Sequence, residues 1–444
     1  MTTQNKMTVS EFYENEFVDY ASYSTIRMIA SAIDGMKNVH RKIVNTVIDK
    51  KIKDDEKISR LDGVCGSYTE YLHGSMADPI ANMAKGFAGT NNLPLMAAEG
   101  SFGSRFNHAH SAPRYIFTYG LPIMFKLFSE DDKAILNDQF FEGHKIEPQF
   151  YLPSLPLILI NGSDGIASGF KQTILSRSEK DVTRYLKGRL TGKIKTKKFN
   201  APPAFNGFTG TVAQGDKDRQ WKICGTINRI NTTNVEITEI PVGIELSKYL
   251  NILDALKEKK VIVSYKDNSD DDVFNFVVKF NRAVLSKLSD EDLLNKLKLI
   301  KSETEIYNAL DEDLIIKGFK NVGEIFDYYY EVKLSYMAKR KQHLLDKYKT
   351  DIEFENSKFI FIKSIVDDVL VINKRKNDAI VKDLDKIDGI ITVNDSYNYL
   401  LNMGINSLTK ERLDKLKASI KLKKDLLKTL KNKTVEEMWL EDLA

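Results

Sequence analysis

The sequence predicts an α+β multidomain protein, and three observations carry that prediction. All ten prolines lie between Pro79 and Pro241, so a loop-rich front precedes a back in which no proline interrupts a helix. Short β-prone runs alternate with helix-like segments from Tyr151 onward. Between Glu324 and Asp388 neither Gly nor Pro occurs. With 444 residues, 42% of them hydrophobic, the chain can bury several cores.

Residues 1–20 read as a polar N-terminal arm, and helical periodicity runs from about Ser10 to Lys53 with a basic stretch at Lys37, Arg41 and Lys42. Asp62 to Tyr119 is Gly-rich with polar loops, the kind of segment that carries function on a rigid scaffold. Leu155 to Ile160 reads as a buried strand. Further strands are expected at Phe208 to Val212, Gln220 to Ile230, Val235 to Ile240 and Val273 to Phe280, each bounded by Gly, Asn or Asp. Helices are expected around Leu246 to Lys259 and Asp290 to Leu299. Leu334, Met337, Leu344, Leu345, Tyr348 and Ile352 mark one stripe of a long helix. A second stripe at Leu413, Leu416, Ile420, Leu427 and Leu430 is interrupted by Lys423, and the two predict an antiparallel coiled coil. The domain boundaries that follow are 1–20, 21–150, 151–322 and 323–444.

Lys and Arg number 66 against 62 Asp and Glu, a formal charge of +4. Nucleic-acid contact must therefore come from local clustering rather than from bulk charge. Two cysteines, Cys65 and Cys224, are too few for a disulfide framework and too far apart in sequence for a zinc site, which fits a reducing cytoplasm. No apolar run approaches the ~20 residues of a membrane span.

Gly100–Ser104, Pro113-Arg114-Tyr115 and the histidines His40, His73, His108 and His110 bring a phenol, a guanidinium and imidazoles into one region of sequence. A tyrosine hydroxyl, with its pKa near ~10, is a weak nucleophile until its anion is stabilised. An adjacent arginine can do this and can also grip a phosphate oxygen with two hydrogen bonds. Tyrosine attack on a phosphodiester exchanges one ester for another of similar energy, so the break is reversible. Among nineteen tyrosines, however, one Arg-Tyr pair is unremarkable, and a half-buried strand residue is the bland alternative. His108 and His110 read as exposed loop residues. The acidic groups Glu130-Asp131-Asp132, Asp270-Asp271-Asp272 and Asp367-Asp368 read as solvated faces, and no Gly-x-x-x-x-Gly-Lys-Ser/Thr loop for ATP occurs.

Six motifs lie in order: Asp34-Gly-Met-Lys-Asn-Val-His-Arg41, His73-Gly74, Gly100-Ser-Phe-Gly-Ser104, Arg114-Tyr115, Asn161-Gly-Ser-Asp-Gly-Ile-Ala-Ser-Gly169 and Ile237-Thr-Glu-Ile-Pro241. Together they resemble the gyrase A-like subunits of type IIA DNA topoisomerases over nearly the whole chain. Within that family, the length and the end at Ala444 are most similar to the medium subunits of T-even-type phage enzymes. The resemblance implies a winged-helix DNA-cleavage domain over 21–150 and an α/β tower over 151–322. It further implies a long antiparallel coiled coil with a helical dimerisation (exit) gate over 323–444.

It also implies roles. Tyr115 becomes the nucleophile that forms a transient 5′-phosphotyrosyl link, with Arg114 beside the scissile phosphate. Arg27, Lys37, His40, Arg41 and His73 become contacts to double-stranded DNA, and Ile166 a wedge between base pairs. For Lys37 and Arg41 the bland alternative is a solvated face. The family's Tyr-His-Pro-His-Gly run is altered, because Tyr71 and Leu72 replace its first histidine and its proline. Met76 stands where the family has a quinolone-contacting serine, so weak drug stabilisation of cleavage is expected. Mg²⁺ and ATP are expected on a large partner subunit with ATPase and toprim domains, and the chain itself is expected to form a homodimer. With no wrapping domain before the end of the chain, relaxation rather than negative supercoiling is implied. Two other readings are a non-enzymatic DNA-binding architectural protein and a tyrosine recombinase. The second needs a tyrosine near the C-terminus, and Tyr115 lies in the first third.

Overall fold

The computed structural model describes residues 7–196 and 198–444, which divide into two compact units. One unit comprises the chain up to Lys333 together with Asp442–Ala444, and the other Leu334–Glu441. Among the described residues no helix is long and apolar enough to cross a membrane.

In the first unit a helical run starts at Val9, passes through a π-helical stretch at Phe12–Glu16 and continues as α1, Phe17–Met28. Helix α2 spans Asn38–Asp49, and its apolar face, including Ile43, Val44, Val47 and Ile48, is buried. Strand β1, Glu56–Lys57, leads directly into α3, Ile58–Tyr68; α4 follows at Ala77–Ala84. Strand β2, Phe117–Thr118, pairs antiparallel with β1. The expected strand at Leu155 to Ile160 is instead one helical turn, α5, Leu157–Ile160. All four of its residues are buried, and a short run buried on every side carries no period by which strand and helix can be told apart. Strands β3, Ser163–Ala167, and β4, Phe170–Ile174, form a hairpin whose turn is Ser168-Gly169, with Gly169 at φ +81°.

Two antiparallel sheets follow. Strands β5, Thr211–Gln214, and β6, Gln220–Cys224, belong to a three-stranded sheet; β7, Thr226–Arg229, and β8, Asn234–Glu239, belong to a four-stranded one. Gln220 to Ile230, expected as one strand, is therefore split between sheets. Gly225 makes the break: a Cβ there would lie 2.3 Å from the Glu239 carbonyl oxygen. Helix α6, Leu246–Glu258, lies where it was expected and is followed by β9, Ser264–Asp267, and β10, Phe276–Lys279. The four-stranded order is β9-β10-β8-β7. One face of that sheet, with Val235, Ile237, Phe276 and Val278, is sealed by Tyr249 and Leu253 of α6 and by Leu293 of α7, Asp290–Lys296. Strand β11, Ile300–Thr304, completes the smaller sheet beside β6.

Just beyond β11 lies a fully buried ion pair. Glu305 accepts from Arg177 Nη1 and Nη2 at 2.5 and 2.6 Å, Trp221 Nε1 at 2.8 Å, Tyr307 Oη at 2.8 Å and the Leu175 amide at 2.8 Å. Burial pushes this carboxyl up, but Arg177 and the other donors outweigh it and leave the group below its ordinary value. The β3–β4 hairpin is thereby tied to the three-stranded sheet. Asp132, expected on a solvated face, is also buried, 3.1 Å from the enclosed ammonium of Lys333.

Helix α8, Val322–Val366, is 45 residues long; α9 is Asn377–Leu384 and α10 Lys410–Asn432. In the second unit, Lys341 Nζ reaches the Lys433 carbonyl at 2.5 Å, and Lys423 Nζ lies 3.0 Å from both Asp351 and Glu355. Partner numbers fall along one helix as they rise along the other, so α8 and α10 run antiparallel. Lys423, the break in the apolar seam, is seated by two carboxylates. Phe361, Ile362, Ile380, Leu384, Leu400 and Leu416 form a separate core at the other end of the pair.

Glu305→Leu should destabilise the first unit by about 3–5 kcal/mol, because it strands a buried guanidinium. Because the folded carboxyl is held low, its contribution is present above the unfolded value of 4.5 and is lost as pH falls through the lower folded value. Urea midpoints at pH 7 and pH 3.5 check both statements: the cost of the substitution should shrink at the lower pH.

Candidate nucleic-acid cleavage site

The Asp34-to-Arg41 motif forms a closed turn. Asp34 Oδ1 accepts the Met36 amide at 2.9 Å, and Oδ2 accepts Arg41 Nε at 2.8 Å and the Tyr151 amide at 3.0 Å. Gly35 has φ +69°, and a Cβ there would sit 2.4 Å from the Ile158 nitrogen, so no other residue fits. Arg41 corrects an expectation. Instead of meeting a DNA backbone or lying on a solvated face it is 1% exposed and spent on Asp34 and the Met36 carbonyl. Lys42 is likewise internal, 2.8 Å from both Glu147 and the Thr69 carbonyl. Of the basic stretch, Lys37 remains available, and with His40 it lines a cavity of about 190 Å³ that also includes Asn82, Asn91 and Asp164. Burial, with Lys37 and Arg41 nearby, pushes the His40 imidazole down to about 4.

Arg27 lies in the last turn of α1 with its guanidinium 5.3 Å from the Tyr23 ring centre. The Tyr23 hydroxyl is hydrogen-bonded to Nε2 of His73, whose ring also meets Tyr71 edge-on at 5.6 Å. Partial burial, then Arg27 and Lys42, hold the His73 imidazole below its ordinary value. The loop carrying His73 is pinned by Asp62, which accepts from Ser75 Oγ and the Met76 amide, both at 2.6 Å. Met76 itself is fully buried.

Tyr115 ends the loop that begins at Gly100. A backbone turn joins its amide to the Ala112 carbonyl at 2.9 Å, and the next residue, Ile116, is 1% exposed while Tyr115 is 65% exposed. On the approach to β2 the chain thus turns one side chain into the core and the other into solvent. The Arg114 guanidinium stands 4.7 Å from the Tyr115 ring centre. Among the described residues no hydrogen bond holds the phenol and no histidine touches it.

Three contacts fix this loop. Arg105 Nη2 donates to Glu239 at 2.9 Å and to the Ile240 carbonyl at 2.8 Å; Lys85 Nζ donates to the His108 carbonyl at 2.8 Å; His110 Nε2 lies 3.1 Å from Asp78. His108 and His110 are thus not free loop residues: His108 stacks on Phe87, and His110 is mostly covered. The Ile237–Pro241 motif acquires a physical reason, since Glu239 also takes the amide and hydroxyl of Thr209. Tyr23 and Arg105 escaped sequence reasoning. The first stands four residues before Arg27, one helical turn away, and the second directly follows Gly100–Ser104.

Ile166 is 66% exposed near the tip of the β3–β4 hairpin, which rules out a core isoleucine. Its neighbour Gly165 presses on α1, where a Cβ would lie 2.2 Å from the Met28 carbonyl oxygen. The wedge candidate and the Arg27 end of α1 are thereby brought side by side.

The fold is similar to that of a solved Plasmodium falciparum topoisomerase II DNA-binding, cleavage and re-ligation domain, with a TM-score of 0.87 and 30% identity over 99% of this chain and 64% of that one. Residues 27–444 match the family model for the A subunits of DNA gyrase and topoisomerase IV, and the chain belongs to that family. It is 30% identical to the mitochondrial DNA topoisomerase 2 of Dictyostelium discoideum over 99% of its length, and 30% identical to DNA topoisomerase 2 of Penicillium chrysogenum, again over 99%. It spans 35% and 30% of those two proteins.

Because the folded His40 is depressed to about 4, stability from its neutral ring is present above the unfolded value of 6.5 and lost as pH falls toward 4. Between pH 7 and pH 5 this should amount to about 1–2 kcal/mol. His40→Asn should flatten that region of the stability profile, read from urea unfolding at the two pH values.

Proposed function

We propose that this chain is the DNA breakage-rejoining component of an ATP-dependent type II topoisomerase, with Tyr115 as nucleophile. The observation that carries the proposal is an exposed phenol, on a loop fixed at three points, with a guanidinium 4.7 Å from its ring. Tyr115 Oη bonds to phosphorus as the bond from phosphorus to the 3′ oxygen breaks. The phenol proton passes to solvent, and the 3′ oxygen leaves as a hydroxyl after taking a proton. Arg114 offsets charge on the non-bridging oxygens. The reverse attack by the 3′ hydroxyl reseals the strand. A non-enzymatic architectural protein has no use for this pair, and membership of the topoisomerase family speaks against it.

Lys37, His40, Arg27 and His73 are the proposed backbone contacts, with Ile166 as the wedge. Arg41 leaves that set and serves instead as the internal support of Lys37 and His40. Residues 21–150 act as the winged-helix cleavage domain, 151–322 as the tower and 323–444 as coiled coil and exit gate, with 1–20 as an arm whose first six residues lie outside those described. Among the described residues no three His, Cys, Asp or Glu side chains converge as a metal site, and the sequence holds no P-loop. No step here passes through Mg²⁺. On the same reading, Mg²⁺ and ATP are assigned to a large partner subunit with toprim and ATPase domains, in the arrangement of the T-even-type phage enzymes. Two copies of each, in the cytoplasm of a bacterial or phage-infected cell, would cut both strands of duplex DNA.

With Mg²⁺, the partner subunit, end-labelled duplex and a detergent stop, the wild type should leave protein on 5′ ends. Tyr115→Phe should leave none while binding duplex as before; attachment that persists in this variant identifies another nucleophile. Ile166→Ala should reduce the bend of the bound duplex, seen as lower energy transfer between dyes at its two ends, since unstacking worth a few kcal/mol loses its wedge.

A further inference from the structure

Tyr23 has no counterpart among the six motifs, yet two of the proposed phosphate contacts meet on it. Its ring carries the Arg27 guanidinium at 5.3 Å, its hydroxyl bonds His73 Nε2, and the two rings lie 5.6 Å apart. Tyr71 meets the same imidazole edge-on at 5.6 Å. The position of Tyr71 is where the resemblance leads one to expect a second histidine, so a single imidazole is in contact with two phenols. Tyr23 is 43% exposed, and among the described residues its ring and hydroxyl meet Arg27 and His73. Held apart by the length of one side chain, Arg27 and His73 become a paired donor set for phosphodiester oxygens. Without the ring, Arg27 would sample many rotamers at the end of α1, and ordering it would oppose binding.

We propose that Tyr23 is a positioning residue of the DNA site, its ring orienting Arg27 and its hydroxyl orienting His73 toward one stretch of backbone. This rests on the reading of Arg27 and His73 as phosphate contacts. The two halves of the role separate by substitution, because Phe keeps the ring and loses only the hydroxyl, whereas Leu loses both.

The test uses the full chain with a fluorescent duplex and, separately, histidine labelled with ¹³C at Cε1. Tyr23→Phe should weaken duplex binding by about 3- to 10-fold, the worth of one hydrogen bond, and should add nothing in a His73→Asn background. Tyr23→Leu should weaken it further, with an effect that persists beside His73→Asn but vanishes beside Arg27→Ala His73→Asn. In the labelled protein the His73 resonance, identified by its loss in His73→Asn, should shift in both variants. In Tyr23→Leu its midpoint should rise toward the ordinary imidazole value as cover and Arg27 move away. A folded Tyr23→Leu protein with unchanged binding and an unmoved His73 resonance overturns the proposal. Unchanged binding in Arg27→Ala and His73→Asn would instead overturn the assignment of those residues to DNA, and the resonance would still decide whether Tyr23 sets the pair.

Discussion

Asp34 lies wholly inside the first unit, and from this one carboxylate the geometry of the proposed DNA-facing surface descends. It takes hydrogen bonds from two backbone amides and from two nitrogens of Arg41. No water can replace them, since Asp34 is fully enclosed and Arg41 nearly so. A buried pair of this kind adds little net stability against an apolar core, but losing one partner is severe, and the turn it enforces is unique. That turn aims Lys37 at the first position before α2 and places His40 one turn later, both at the rim of the cavity. Lys42 and Glu147 repeat the device one residue further on, with Asn38 in reach of the same carboxylate at 3.4 Å. Arg41 and Lys42, which look from sequence like part of a DNA-binding face, thus build the platform beneath the proposed one.

Legibility followed the length of the periodic signal. Helices α6, α8 and α10 stood out because many residues repeat the same spacing, and Lys423 was visible as a fault in a seam, though its two carboxylate partners were not. Leu157–Ile160 was misread because complete burial erases period. Gly225 could not be seen to separate the sheets, since what forbids a side chain there is the Glu239 carbonyl, a neighbour fourteen residues away. Arg41, Asp132, His108 and His110 were misplaced for one shared reason. A polar side chain is assigned to solvent unless a partner is known, and their partners lie at Asp34, Lys333, Phe87 and Asp78.

The site itself was legible as motifs but not as a geometry. Arg114 and Tyr115 could be named, while the reason for their exposure is the opposite fate of Ile116. Glycines mark where backbone meets backbone. Gly103 at φ +88° has the His108 and Asn107 carbonyl oxygens where a Cβ would be, so the loop folds back on itself and delivers Tyr115 at its end.

Arg105 connects that loop to the four-stranded sheet through Glu239, and Phe106 extends the connection by packing on Phe274. The phenol is therefore not carried on a pliable tether. Its coordinates are those of the sheet, with the Arg105 guanidinium as the rivet. With Tyr115 as the proposed nucleophile, its alignment is set by the sheet, and Arg105 is the link between the two.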